Sequence, residues 1–357
     1  MIQRGLVTRH QLRGSSWIRL RHDVYADARL DRDHELACRA AMLRLPPGAM
    51  IAGPSSAYLH GIEHAAGFDD DVHVLVPRLA RVDSQRGLRV HVAGADTPLT
   101  PPLGVIADAP QPTAALGAAA DTPQPTPVLG VVTDTPQPKP ALGVIADARR
   151  PTPTTARIGA RSKPPLRRTD PTTAQTGPRS KPTLRRTDPS SAAWETAAWL
   201  DPLRAVAIVD SLLASGLTTR AALTTVENAN AERPGGRRAR WIFDLADPGA
   251  QSPPESQLRV RLVLGGLPRP VAQHPIQLAG GLVLHPDLAW PEFRVAVEYD
   301  GRWHSDPEQL HRDRRRLNLL VGAGWLVLHV TSRRLQNDFP AVLSEVRSAL
   351  ISRGWRR

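Results

Sequence analysis

The spacing of apolar residues divides the chain into a patterned start, a patterned end and a middle with neither helical nor strand periodicity. Residues 6–12 suit a short helix and residues 17–25 a strand. Residues 36–45, LACRAAMLRL, have helical composition and stop at Pro46-Pro47-Gly48. Residues 55–60 suit a second helix with Ser55 or Ser56 as its cap, since a hydroxyl accepts from an unpaired amide of the first turn. VHVLVP (72–77) and LRVHV (88–92) alternate, as half-buried strands do.

Helical spacing returns after residue 190. Residues 194–199, 202–213, 218–226 and 237–247 predict helices, with Thr218 or Thr219 capping the third. Trp194 and Trp199 read as core residues. Ser252-Pro253-Pro254 opens a further helix, 255–264, which Gly265-Gly266 closes. A strand is predicted at 271–278. Two apolar runs, 282–284 and 295–297, flank Trp290-Pro291-Glu292 and read as a hairpin, because proline presets a turn dihedral. Ser305 or Asp306 then caps a helix whose Leu310, Leu317, Leu320 and Val321 share one face. A buried strand, 325–330, and an amphipathic helix, 339–351, complete an α-β-β-β-α-β-α order. The expected class is α/β, divided as 1–95 (small, α+β), 96–190 (linker), 191–250 (helical) and 251–357 (α/β).

The middle is set apart by composition. Residues 96–190 hold 19 of the 35 prolines. Leu-Gly recurs at 103, 116, 129 and 142, and RSKPPLRRTDP at 161 returns as RSKPTLRRTDP at 179. So few apolar residues per unit cannot stack into a solenoid, so the stretch reads as a long, disordered, polyproline-prone linker. The formal net charge is +12, yet residues 149–188 alone carry 11 Lys or Arg against Asp170 and Asp188. The surplus therefore sits in the linker, where it suits loose, salt-sensitive contact with a polyanion. Cys38 is the sole cysteine, which excludes a disulfide framework and a four-cysteine zinc site and suits a small core residue. No apolar run of membrane-spanning length occurs, and MIQRGLVTRHQLRG lacks the apolar core of a signal peptide. A cytoplasmic protein with no membrane partner is expected.

Candidate chemistry gathers in LVLHPDLAWPEFRVAVEYDGRWH (282–304). A hairpin here brings Asp287 toward Glu298 and Asp300. Neighbouring carboxylates raise one another's pKa, and a hard cation such as Mg²⁺ or Mn²⁺ relieves the conflict. Pro286-Asp287, ten residues, then Glu298-Tyr299-Asp300 resembles the PD-(D/E)XK nuclease signature, with Asp300 where that family carries lysine. The stretches 253–276, VAVEYDGRWH (295–304), RDRRRLNLL (312–320) and AGWLVLHVTSRRL (323–335) resemble the actinobacterial domain of unknown function 559. That domain is similar to very-short-patch-repair endonucleases. The resemblance implies a restriction-endonuclease-like fold and a metal-dependent endonuclease-like phosphodiesterase acting on DNA. It implies Asp287, Glu298 and Glu255 as metal ligands, Asp300 as a further ligand or water-orienting group, and His304 as general acid or base. Arg312 and Arg316 then neutralise the phosphate in place of the lysine, while Arg314, Arg315 and Gln273 contact the nucleic acid.

At the other end, GLVTRHQLR (5–13), WIRLRHDVYA (17–26) and AGPSSAYLHGI (52–62) resemble abortive-infection, type IV toxin–antitoxin antitoxins. In those proteins a winged helix precedes this strand; here only residues 1–14 precede it. The likeness implies a toxin- or antitoxin-type partner. It also opens the alternative reading, a nonenzymatic DNA-binding regulator or an inactive nuclease scaffold.

Overall fold

A computed structural model describes residues 7–93, 129–131, 184–301 and 307–356, with the backbone alone for 129–131, 279 and 307–314. The chain is a mixed α/β protein in which helices join several small sheets. Among the described residues no helix is long and apolar enough to cross a membrane.

The first strands are β1 (Trp17–Arg21) and β2 (Val24–Asp27), an antiparallel hairpin. The single strand expected at 17–25 is thus split, because Asp23 adopts a left-handed turn conformation, φ 58°, which aspartate tolerates better than most residues. The helix expected at 6–12 is a 3-10 turn, Gln11–Arg13, within the described residues. Helix α1 (His34–Met42) starts where the Asp33 side chain accepts from the Leu36 amide at 2.7 Å. Strands β3 (Met50–Ile51), β4 (Val72–Val76) and β5 (Leu88–Val92) form a second sheet, antiparallel then parallel. Cys38, Ile51, Val72, Val74 and Leu88 pack between α1 and this sheet. Burial pushes the Cys38 thiol pKa up, so it behaves as a small core residue.

Helix α2 (Gly53–Leu59) corrects the expected cap. It begins two residues earlier, with Pro54 in its first turn and no side-chain cap. Ser55 and Ser56 are buried and committed elsewhere. The Ser55 hydroxyl meets His34 Nε2 at 2.8 Å and accepts from the His73 amide, while Ser56 donates to the Thr187 carbonyl at 2.7 Å.

That last contact shows that residues 184–190 belong to the folded protein, not to the linker. The Ile51 amide donates to the Arg185 carbonyl and the Thr187 amide to the Ile51 carbonyl, a short parallel pairing. The same hexapeptide, LRRTDP, also stands at 166–171, but only the copy at 184–189 lies within the described residues. From the Leu-Gly repeat, β6 (Leu129–Val131) pairs antiparallel with β2. The rest of the expected linker lies outside the described residues.

Next come α3 (Pro189–Trp199), α4 (Pro202–Ala214) and α5 (Arg220–Ala229), capped by Asp188, Asp201 and Thr219. Helix α6 (Gly236–Leu245) follows Gly235, whose φ is 92° and where a Cβ would come within 2.8 Å of the Ala198 Cβ, which leaves no room for a side chain. Then α7 (Pro253–Leu264) starts at Ser252. These helices share one core: Ala57 and Ile62 from the N-terminal region meet Trp194, Ile208, Leu212, Ile242 and, from α7, Val260. Trp194 is 4% exposed, as a core residue should be. Trp199 is partly buried: it packs against Ala52, Leu75 and Ala93 and stacks on His91, with centroids 3.4 Å apart.

One carboxylate in this core carries a pH dependence. Glu195 Oε2 accepts from the Gly53 amide at 2.6 Å and from the Thr187 hydroxyl at 2.9 Å. Burial pushes its pKa up to about 8 from 4.5. The folded state then holds a proton that the unfolded chain releases, so this group's contribution to stability falls as pH rises from 4.5 to about 8. Glu195→Gln keeps an acceptor oxygen and removes the titration. Unfolding free energies at pH 5 and pH 9 are expected to show the variant gaining on wild type at the higher pH. An equal difference at both would show that Glu195 is not the titrating group.

The C-terminal sheet has the order β12-β11-β10-β7. Its strands are β7 (Val271–Ala272), β10 (Leu288–Trp290), β11 (Val295–Asp300) and β12 (Leu326–Thr331). Strands β11 and β12 run parallel, the other pairs antiparallel. Between them come β8 (Ile276–Gln277) and β9 (Val283–Leu284), which among the described residues pair only with each other, and α8 (Pro307–Gly322). After β12 come α9 (Ser332–Asn337) and α10 (Phe339–Ser352). Two expectations change here. The strand at 271–278 breaks at Gln273, φ 51°, into β7 and β8 in different sheets. The run 282–284 pairs with β8, so the hairpin is β10–β11, turning at Pro291–Phe293. Helix α9 has no counterpart in the sequence reading. Leu258, Leu288, Val295, Val297, Val330, Val342 and Leu350 fill the core between this sheet, α7 and α10.

Candidate active site

The β10–β11 register pairs Leu288 with Val297, which sets Asp287 opposite Glu298 just past the end of the ladder. Asp287 is held tightly. Its Oδ2 accepts from the Tyr299 amide at 2.7 Å and its Oδ1 from Gln273 Nε2 at 3.1 Å. The left-handed turn at Gln273 directs its amide to the Asp287 carbonyl at 3.1 Å, while its own carbonyl meets His285 Nδ1 at 3.0 Å. The break that ends β7 is therefore what brings Gln273 to the acid.

Burial pushes the Asp287 pKa up, and the nearby Glu255 charge adds to this; the Tyr299 amide, Gln273 and Arg316 oppose it. Glu298 is pushed up to about 7, first by burial and then by the Asp287 charge, against Arg316 and His329. The two acids are thus desolvated and repel one another. Arg316, on α8, brings its guanidinium to 3.1 Å from Glu298 Oε1, without the alignment of a hydrogen bond, and donates to the His285 carbonyl.

Asp300 lies two residues along β11 and its Oδ2 is 3.0 Å from Nδ1 of His329. His329 is the β12 partner of Glu298 in the parallel register. No motif in the sequence singles it out; the one signal is a polar residue inside the apolar run LVLHV.

Glu255 lies near enough for its charge to reach Asp287, yet both its oxygens serve the start of α7. Oε1 accepts from the Ser252 hydroxyl at 2.7 Å and Oε2 from the Gln251 amide at 2.9 Å, a capping box. Arg315 is exposed on α8. Arg312 and Arg314 lie on the described backbone of α8 but their side chains do not, and His304 lies outside the described residues. The structure thus gathers Asp287, Glu298, Gln273, Arg316, Asp300 and, unforeseen, His329.

Among the described residues, no group of three or more His, Cys, Asp and Glu is arranged to hold a metal ion. The Asp287–Glu298 pair nevertheless suits one hard cation. Both acids have raised pKa values, and Glu298 Oε1 is buried without a hydrogen-bond donor.

No family model matches the chain, and no solved structure matches it. Two uncharacterized proteins of Mycobacterium tuberculosis, from strains CDC 1551 / Oshkosh and H37Rv, are each 38% identical to it over 145 residues. The match takes in 39% of this chain and 52% of theirs, so the chain spans about half the length of the curated relatives it matches.

Proposed function

We propose that the C-terminal region is a metal-dependent, endonuclease-like phosphodiesterase acting on DNA, built on a restriction-endonuclease-like arrangement of its helices and strands. The observation that carries this reading is the desolvated Asp287–Glu298 pair across the β10–β11 hairpin. Such a pair is costly for a fold to keep unless a ligand relieves it. Asp287 and Glu298 would hold Mg²⁺ or Mn²⁺, which when bound supplies Lewis acidity at a phosphate. Gln273 and the Tyr299 amide fix the Asp287 carboxylate in place. Arg316 brings positive charge to the same spot and serves where the resembled nucleases use lysine.

A second reading is a nonenzymatic DNA-binding protein, antitoxin-like in its N-terminal region and able to pair with a toxin-type partner. It is favoured by one observation: Asp300 occupies the lysine position and is spent on His329.

Thermal unfolding of the full chain against Mg²⁺ and Mn²⁺ separates the two. A cation that binds only the folded state raises Tm with concentration. The rise is expected in wild type and is expected to vanish in Asp287→Asn. No shift with either ion would remove the enzymatic reading.

A further inference from the structure

We propose that the cleft at the start of α6 is a docking site for the phosphodiester backbone of DNA, separate from the acid pair. The inference rests on the preceding reading only in taking DNA as the polymer. The cleft has a volume of about 670 Å³, and Arg233, Arg237, Arg238 and Arg240 line it, with Glu232 as the acid among its walls.

Most of these guanidiniums are held without being neutralised. Arg233 lies over the Trp194 ring, 5.1 Å from its centroid, and donates to Asn230 Oδ1 at 2.6 Å. Arg238 donates to the Leu200 carbonyl. Arg240 has an acidic partner, Glu227 at 2.6 Å. Arg237 is exposed and has no acidic partner among the described residues. Aromatic stacking and carbonyl contacts orient a guanidinium and leave its charge available to a ligand.

The placement runs against the electrostatics of a helix. Cations suit a helix C-terminus and acids an N-terminus. Helix α6 has no acid in its first turn and no side-chain cap. Its far end, by contrast, is already served, since Arg220, Arg259 and Arg269 donate to the carbonyls of Phe243, Leu245 and Asp244. Crowding arginines at the other end costs local stability, which an anion in the cleft restores.

The charges extend beyond the cleft. Arg237, Arg240 and Trp241 fall at i, i+3 and i+4 and share an exposed face, with Trp241 39% exposed. The acid on that face, Asp244, lies a further turn toward the C-terminus. Several guanidiniums spread along a cleft and a helix face suit a row of phosphates better than a single one. An aromatic among them suits contact with sugars or bases.

The test is DNA binding by the full chain in chelator, so that cleavage plays no part. Fluorescence anisotropy of a mixed-sequence duplex is measured across a range of KCl. Each phosphate contact contributes about 0.9 to the slope of log affinity against log salt. Arg237→Gln is therefore expected to flatten that slope by about 1. Arg237→Glu, which disturbs no contact in the structure and places an acid in the first turn of α6, is expected to weaken binding at a Tm equal to or above that of wild type. Wild-type slopes and affinities in both variants overturn the proposal. So does displacement of the duplex by inorganic phosphate beyond its ionic strength, which would assign the cleft to the free ion. Absence of wild-type DNA binding would overturn this proposal and the DNA reading together. Flattened slopes in a protein that cuts nothing with any divalent ion would support the docking site and remove only the catalytic reading.

Discussion

Replacing Asp210 with alanine is expected to cost the fold about 3–5 kcal/mol, the penalty for leaving a buried charge without its partner. Asp210 on α4 and Arg259 on α7 are both fully buried, with Nη2 2.6 Å from Oδ2. The same Oδ2 accepts from the Ser256 hydroxyl at 2.7 Å, and Oδ1 from the Asp247 amide at 2.6 Å. Arg259 also donates to the Leu245 carbonyl, so one ion pair ties α4, α6 and α7 together. In Asp210→Ala the guanidinium keeps a single carbonyl and loses its counter-charge. Urea unfolding reads the effect as a lowered midpoint, and a loss below about 1 kcal/mol would show that water or a neighbour solvates Arg259. The double variant Asp210→Leu, Arg259→Met is expected to recover most of the loss, because apolar residues of similar volume need no partner. Helix α7 also packs on the C-terminal sheet, so this pair is one of the contacts that couple the helical region to it. A metal-induced rise in Tm should therefore become smaller or split into two transitions in Asp210→Ala.

What the sequence reveals depends on whether a residue's role is local. The bounds of α4 are legible because Asp201-Pro202 is a helix start written in two residues and the apolar spacing after it is regular. Strand β5 is legible from alternation alone. Glu255 is instructive in the opposite sense. Ser252 and Glu255 stand three apart, the spacing of a capping box, and the structure engages both carboxylate oxygens in that cap while the acid still acts on Asp287 through space. Ser55 and Ser56 look like caps locally, but His34, His73 and Thr187, which claim their hydroxyls, are distant in sequence. The break at Gln273 is equally silent, since nothing in a glutamine announces a positive φ; the demand comes from the Asp287 carbonyl opposite. His329 enters the site only through the parallel pairing of β12 with β11, a long-range register that no local pattern encodes. The acid pair itself was within reach because its two members flank a single turn.

That pair carries the second large effect. If Asp287 and Glu298 hold a catalytic cation, Asp287→Ala and Glu298→Gln each remove a ligand worth several kcal/mol at the transition state. Every 1.36 kcal/mol is tenfold in rate, so a loss on the order of 10³-fold in Mg²⁺- or Mn²⁺-dependent DNA cleavage is expected. Stability should move the other way. The Glu298 pKa in the folded protein is about 7, against 4.5 for a free glutamate. Between those values the folded state keeps a proton that the unfolded chain gives up, so wild type loses stability as pH rises through the window and carries the whole deficit above it. Glu298→Gln escapes the deficit. It should melt near wild type at pH 4 and above it at pH 8, in metal-free buffer. Protons and cation also compete for the same carboxylates, so the wild-type midpoint for Mg²⁺ should rise as pH falls below about 7. A variant that keeps its cleavage rate, or that melts below wild type at pH 8, would place Glu298 among structural acids and leave the hairpin without a catalytic role.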